Sequence, residues 1–106
     1  MALRFKDSVR FGSLQPQMFV ALMVVQEEFD KLGVDTWITS VNDSTHMVNS
    51  KHYSGKAFDF RTHHITRAQV EQLEHNLKNR IGKLGFTVLV EDYGEANEHG
   101  HVQYSL

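Results

Sequence analysis

The sequence predicts an α+β domain, a small and mainly antiparallel sheet with helices packed on one side. Three observations carry this reading. Two segments place apolar residues at three- and four-residue steps, and four short segments are β-branched, aromatic or alternating. The last two of these are joined only by 93-YGEANE-98, a connection short enough to favour an antiparallel pair. The order is helix, strand, long loop, strand, helix, strand, strand. A length of 106 residues suits one domain, so 1–106 is read as a single unit without repeat, low-complexity tract or linker.

The first helix is expected to start near Pro16, because a first turn tolerates the missing N–H of proline. Ser13 or Gln15 is the expected cap. Met18, Leu22, Val25, Phe29 and Leu32 form its apolar stripe, and Gly33 is a natural stop. Next, 35-DTWITSV-41 reads as a strand and 42-NDSTHMVNSKHYSG-55 as a long loop, a place where small domains often carry function. The alternating 56-KAFDFR-61 is a second strand. Thr66 and Gln69 make a capping box for the second helix, with Ile65 and Val70 as its hydrophobic staple. Val70, Leu73, Leu77 and Ile81 are its stripe, and Gly82 is the expected end. Two strands follow, 85-GFTVLVED-92 and 99-HGHVQYS-105.

Composition narrows the function classes. With 41% apolar and 23% charged residues the chain is expected to fold rather than remain disordered. A net charge of -2 without a basic stripe gives nucleic-acid binding no support. Cysteine is absent, so disulfides and thiolate zinc sites are excluded, and a transition metal must be held by His, Asp or Glu. No apolar run approaches the ~20 residues of a membrane span. The N-terminal MALRFKDSVRFGS lacks an apolar h-region, so no Sec-type signal peptide is expected. The expectation is a monomer made and folded in a cytoplasm, with no nucleic-acid or membrane partner. Seven histidines are the unusual count.

Strand alternation sorts the polar residues by face. Phe58 and Phe60 point toward the helices, while Ala57, Asp59 and Arg61 point away. In the last strand His99, His101 and Gln103 share a face, and Val102 and Tyr104 take the core side. The H-x-H spacing suits two metal ligands, or one ligand and a neighbour. His52 lies at the end of the long loop, and Gly55 lets the backbone turn sharply enough to bring its imidazole over Asp59. Glu98 stands just before the last strand, free to bend toward the same place. Imidazoles, an aspartate and a free glutamate are the inventory of a catalytic zinc site: three N/O ligands, an open position for water and a carboxylate to take its proton. His75 falls off its helix stripe and is expected to be solvated. His63 and His64 lie in a turn, and His46 is placed to line a cleft.

The segment 50-SKHYSGKAFD-59 fits S-x-H-x-x-G-x-A-x-D, and 98-EHGH-101 fits E-x-x-H. Both motifs resemble the zinc D-Ala-D-Ala peptidases and the phage L-alanyl-D-glutamate endopeptidases, which share a core fold with the hedgehog signalling domain. The resemblance runs from about Leu14 to Tyr104. It implies His52, Asp59 and His101 as zinc ligands and Glu98 as the base, with Ser50 holding the loop or a substrate group. His99 then becomes a hydrogen-bond donor to the tetrahedral intermediate or to a carboxylate beside the metal, not a ligand. The family pattern T-S-G-[YF]-R meets 39-TSVND-43 here, so Asp43 occupies the arginine's place and Arg61 is the candidate substitute. Asp43 and His46 are the further residues expected against substrate. The implied activity is hydrolysis of an amide in a peptidoglycan stem peptide, of D,D- or L,D-type, with action on the cell wall after release in the manner of a phage endolysin. The alternative is a zinc-holding interaction module of the same fold that has lost catalysis.

Overall fold

The computed structural model describes residues 1–9, 14–41 and 55–106. Five strands form one sheet: β1 (Leu3–Phe5), β2 (Thr36–Ser40), β3 (Ala57–Arg61), β4 (Phe86–Glu91) and β5 (His99–Tyr104). Their spatial order is β1-β2-β3-β5-β4. Three neighbouring pairs run antiparallel, and β1 lies parallel to β2. Two helices, α1 (Gln17–Lys31) and α2 (Arg67–Ile81), pack against the sheet. The predicted architecture, a mainly antiparallel sheet with helices against it, is therefore present. The sequence reading omitted β1, whose three residues are too few to show a period and whose partner lies more than thirty positions away.

Each helix forms where its apolar stripe requires it. Met18, Ala21, Leu22, Val25 and Phe29 of α1 are buried, as are Val70, Leu73, Leu77 and Ile81 of α2. These meet Phe58, Phe60, Val88 and Val102 from the facing side of the sheet. Burying each such large side chain contributes about 1.5–3 kcal/mol. The capping box at the start of α2 is formed, Thr66 accepting from the Gln69 N–H and the Gln69 amide accepting from the Thr66 N–H.

One expected terminus differs, the start of α1; of its two expected caps, Ser13 lies outside the described residues. Pro16 itself stands at the N-cap of α1, with no side-chain cap bond. Gln15 instead donates its N–H to the Gly55 carbonyl, so this end of the helix is tied to the start of β3 by backbone. Gly82 caps the end of α2 as expected; a 3-10 turn follows over Gly82–Leu84, and Gly85 supplies the left-handed residue at φ 99°.

Two details of the sheet position the site. The β2–β3 register slips between Ile38 and Ser40, which pair with Phe60 and Asp59. One extra residue, Thr39, is thereby inserted, as in a β-bulge. On the other side of β3, Asp59 pairs with His101, Arg61 with His99 and Phe60 with Gly100. Gly100 carries the close approach: a Cβ there would fall inside the Phe60 ring.

Candidate metal and hydrolytic centre

Because β3 and β5 pair in this register, Asp59, Arg61, His99, His101 and Gln103 project from the face opposite the helices. The alternation anticipated this, and the two phenylalanines on the other side are fully buried. Asp59 is therefore no ordinary solvated aspartate: its side chain is 14% exposed, and that of His101 is 12%.

His101 Nδ1 stands 2.8 Å from Asp59 Oδ1, and His101 Nε2 stands 2.9 Å from Gln103 Oε1. A neutral imidazole donates from one nitrogen only, so donating to both oxygens requires the cation. Burial lowers the His101 pKa, but the hydrogen bonds to Asp59 and Gln103 outweigh it and leave the imidazole above its ordinary value. His99 lies alongside, its Nε2 3.6 Å from Glu91 Oε1 and 3.9 Å from Asp59 Oδ2. Its Nδ1 is 2.8 Å from the Asn97 carbonyl, which fixes the ring.

Glu98 was expected to be free and is not. Its Oε2 accepts a hydrogen bond from the fully buried Thr62 hydroxyl, and its Oε1 accepts one from the Gly94 N–H at 3.1 Å. The Thr62 hydroxyl first and the Gly94 amide second hold its carboxyl below the ordinary pKa. The loop that presents it is built for the purpose. Asp92 and Gly94 take positive φ, Asn97 donates to Asp92, and His63 Nε2 lies 2.9 Å from the Ala96 carbonyl.

Asp59, Glu98 and His99 border one cleft of about 520 Å³, which Lys6, Thr39 and Arg61 also line; His101 stands behind Asp59 and is not among the lining residues. Arg61 does line it, with its guanidinium 4.8 Å from the centre of the Trp37 ring. The structure thus brings together Asp59, His101, His99, Glu98 and Arg61. His52, Ser50, Asp43 and His46 lie outside the described residues. His75 is exposed as expected. His64, read as a turn residue, stacks on Phe29 at 5.3 Å and takes a place against the core, with Nε2 2.8 Å from the Asp35 carbonyl.

The sequence reading did not single out Thr62, Glu91, Lys6 or Thr39, and treated Gln103 only as a residue on the histidine face. Alternation along 85–92 offered a route to Glu91, since it shares a face with Leu89 and Thr87 and pairs with His99. Thr62 and Lys6 gave no local signal, because each reaches the site only through tertiary packing.

In donor type, Asp59 and His101 would suit zinc. In a tetrahedral site with bonds near 2.0–2.1 Å, neighbouring donors stand roughly 3.3 Å apart. Asp59 Oδ1 and His101 Nδ1 already face each other at 2.8 Å. Gln103 would keep Nε2 protonated while Nδ1 serves as the ligand, the usual arrangement beside a metal. Among the described residues no three His, Asp or Glu side chains form a metal-holding group by themselves; the third expected ligand, His52, is outside them. No helix among the described residues is long and apolar enough to cross a membrane. No protein-family model matches the chain, and no curated protein matches it.

Proposed function

We propose that this protein is a zinc peptidase that hydrolyses an amide bond in peptidoglycan stem peptides. The observation that carries the reading is the pairing of Asp59 with His101 on the open face of the sheet, beside a cleft that also takes in Glu98 and His99. Asp59 Oδ1 and His101 Nδ1 would hold the metal together with His52. A zinc ion there supplies Lewis acidity, which polarises the scissile carbonyl and acidifies water toward pH ~7.

The chain's own groups do the rest. Glu98 takes a proton from the attacking water while the water oxygen bonds to the carbonyl carbon. The C–N bond then breaks, and Glu98 returns the proton to the leaving amine. Thr62 and Gly94 keep the Glu98 carboxylate ionised and in one orientation for the first step. His99, held by Asn97, is placed to hydrogen-bond the oxyanion.

One observation favours a second reading, a zinc-holding interaction module without catalysis. Both oxygens of Glu98 already accept hydrogen bonds, which makes it a weaker base. Release of new amino groups from purified sacculi decides between the two. Hydrolysis is expected from the zinc-loaded wild type, and none after chelation or in Glu98→Gln. If the wild type carries one zinc per chain and releases no amines, the peptidase reading fails.

A further inference from the structure

The loop between β4 and β5 carries Glu98, and its internal bonds give it shape but not place. The Glu95 N–H donates to the Asp92 carbonyl at 2.9 Å, and the Glu98 N–H to the Glu95 carbonyl at 3.1 Å. Its place is set from two sides. The end of β3 holds it through Thr62 and His63. On the other side stands Arg67 of α2, whose guanidinium lies 4.4 Å from the centre of the Tyr93 ring. Arg67 occupies an unfavourable position in its own helix. It opens α2 directly after the Thr66 cap, and a cation in a first turn opposes the helix dipole. Its i,i+4 partner Glu71 lies C-terminal to it, the weaker order for such a pair, at 3.4 Å and well exposed. Tyr93 is placed unfavourably as well: its hydroxyl is buried and bonds to no group among the described residues. Burial first, then the Glu74 and Glu71 carboxylates, push its phenol up. Two residues that each break a local rule therefore meet face to face in the loop of the candidate base. Such violations concentrate where function requires them.

We propose that Arg67 and Tyr93 clamp this loop and are positioning residues for Glu98, acting through the Gly94 amide. This rests on the peptidase reading above. Tyr93 and Gly94 share one peptide unit, and its N–H is the one that donates to Glu98 Oε1 at 3.1 Å. A planar peptide turns as a body, so a ring pinned under Arg67 fixes the direction of that N–H. Gly94 alone does not fix it: at φ 77° it has a glycine's freedom. Arg67 also runs beside Gly94, with Nη1 3.9 Å from where a Cβ would stand. The Thr62 hydroxyl and the Gly94 amide do most to favour the ionised Glu98, and His63 and Arg67 add to this through their charge. From α2 the clamp thus brings a cation and an oriented donor to the same carboxylate. Neither Arg67 nor Tyr93 lines the cleft, so their effect reaches the reaction through Glu98.

The experiment follows Glu98 itself. The resonance of its side-chain carboxyl carbon is titrated with pH by NMR in the full chain, which needs no turnover. Amine release from saturating sacculi is measured over the same pH range. Wild-type Glu98 is expected to ionise below the ordinary glutamate value. In Arg67→Ala and in Tyr93→Leu the midpoint should rise. The rate at saturating sacculi should fall about tenfold near neutrality, with the half-saturating amount little changed. A raised midpoint leaves more of the base protonated in acid, so the loss relative to wild type should deepen as pH falls. Arg67→Lys keeps the charge without the flat fork and should recover part of the shift. Tyr93→Phe keeps the ring and should lose less than Tyr93→Leu. Far-UV circular dichroism confirms that each variant is folded; should Arg67→Ala fail to fold, Arg67→Lys decides on the same titration. A Glu98 midpoint in folded Arg67→Ala that coincides with wild type, or a Tyr93→Phe shift as large as that of Tyr93→Leu, would overturn the clamp. So would an equal loss of rate at every pH, which is what a purely architectural role gives. A midpoint that moves in a chain that leaves sacculi intact removes the peptidase reading alone, and turnover with an unmoved midpoint removes the clamp alone.

Discussion

Two carboxylates of this molecule are largely withdrawn from water, and they are stabilised in opposite ways. Glu28 sits on the buried side of α1 at the seam with α2, only 3% exposed. It accepts from Lys31 at 2.8 Å, from Arg80 at 2.8 Å and from Asn76 at 3.0 Å, while Arg80 also reaches Glu27 at 2.6 Å. Burial raises its pKa, but the bonds from Lys31, Arg80 and Asn76 together outweigh burial and leave it below the ordinary value. Asp59, on the other side of the sheet, faces imidazoles and a cleft. Lysine and arginine keep their charge at any ordinary pH, so the Glu28 network is permanent. Imidazoles can give up a proton or take a metal in its place, so the Asp59 group is changeable. A closed set of fixed charges points to architecture, and a half-open set of exchangeable ones points to chemistry.

If that contrast is right, damage at the two places should separate activity from stability. The largest effect is expected from Glu98→Gln, which should lower amide hydrolysis by about 10²–10⁴-fold with little change in the unfolding midpoint. Amine release and thermal denaturation, measured on the same preparation, check this. Arg80→Ala should do the reverse and cost about 3 kcal/mol in urea unfolding, because it strips one of two cations from a buried carboxylate. Zinc content should be unaffected; a fall in bound zinc would show that the two regions are coupled.

A smaller effect is expected from Gln103→Ala, which removes the acceptor from His101 Nε2. Zinc affinity should drop about tenfold, read by competition with a chromophoric chelator. The smallest effect is in acid. The folded pKa of Glu28 is depressed, so its contribution is complete above the unfolded value near 4.5 and is lost as pH falls through the folded value. Urea midpoints should therefore decline below about pH 4.5, and the decline should be shallower in Glu28→Gln. An identical acid limb in both proteins would mean that other carboxylates carry it.

Much of the architecture was legible because it is written in periods. The stripe of α2 and its Thr66–Gln69 box are local, and both formed as read. Alternation placed Asp59 and His101 on one face without any knowledge of the pairing register, since a period of two fixes the face of each strand independently. The remainder was illegible for the converse reason. Glu28 interrupts an apolar stripe and reads as noise until Arg80 arrives from the other helix. Thr62 reads as the end of a strand, and its bond to Glu98 spans 36 positions. Lys6 enters the cleft only because the short β1 pairs with β2. Contacts that join distant segments leave no trace in spacing, and the surroundings of the candidate site consist mostly of such contacts.

Gly100 stands between the two histidines of β5 with its backbone against the Phe60 ring. At that point only a single peptide unit partitions the oily interior from the histidine-bearing surface. An interior substitution that tilted the ring would be transmitted to the spacing of both imidazoles with no soft side chain to absorb it. Variation in the core beneath this strand is thus answerable to the candidate site above it, and alanine in place of the glycine should disturb that site although neither histidine nor Asp59 has been touched.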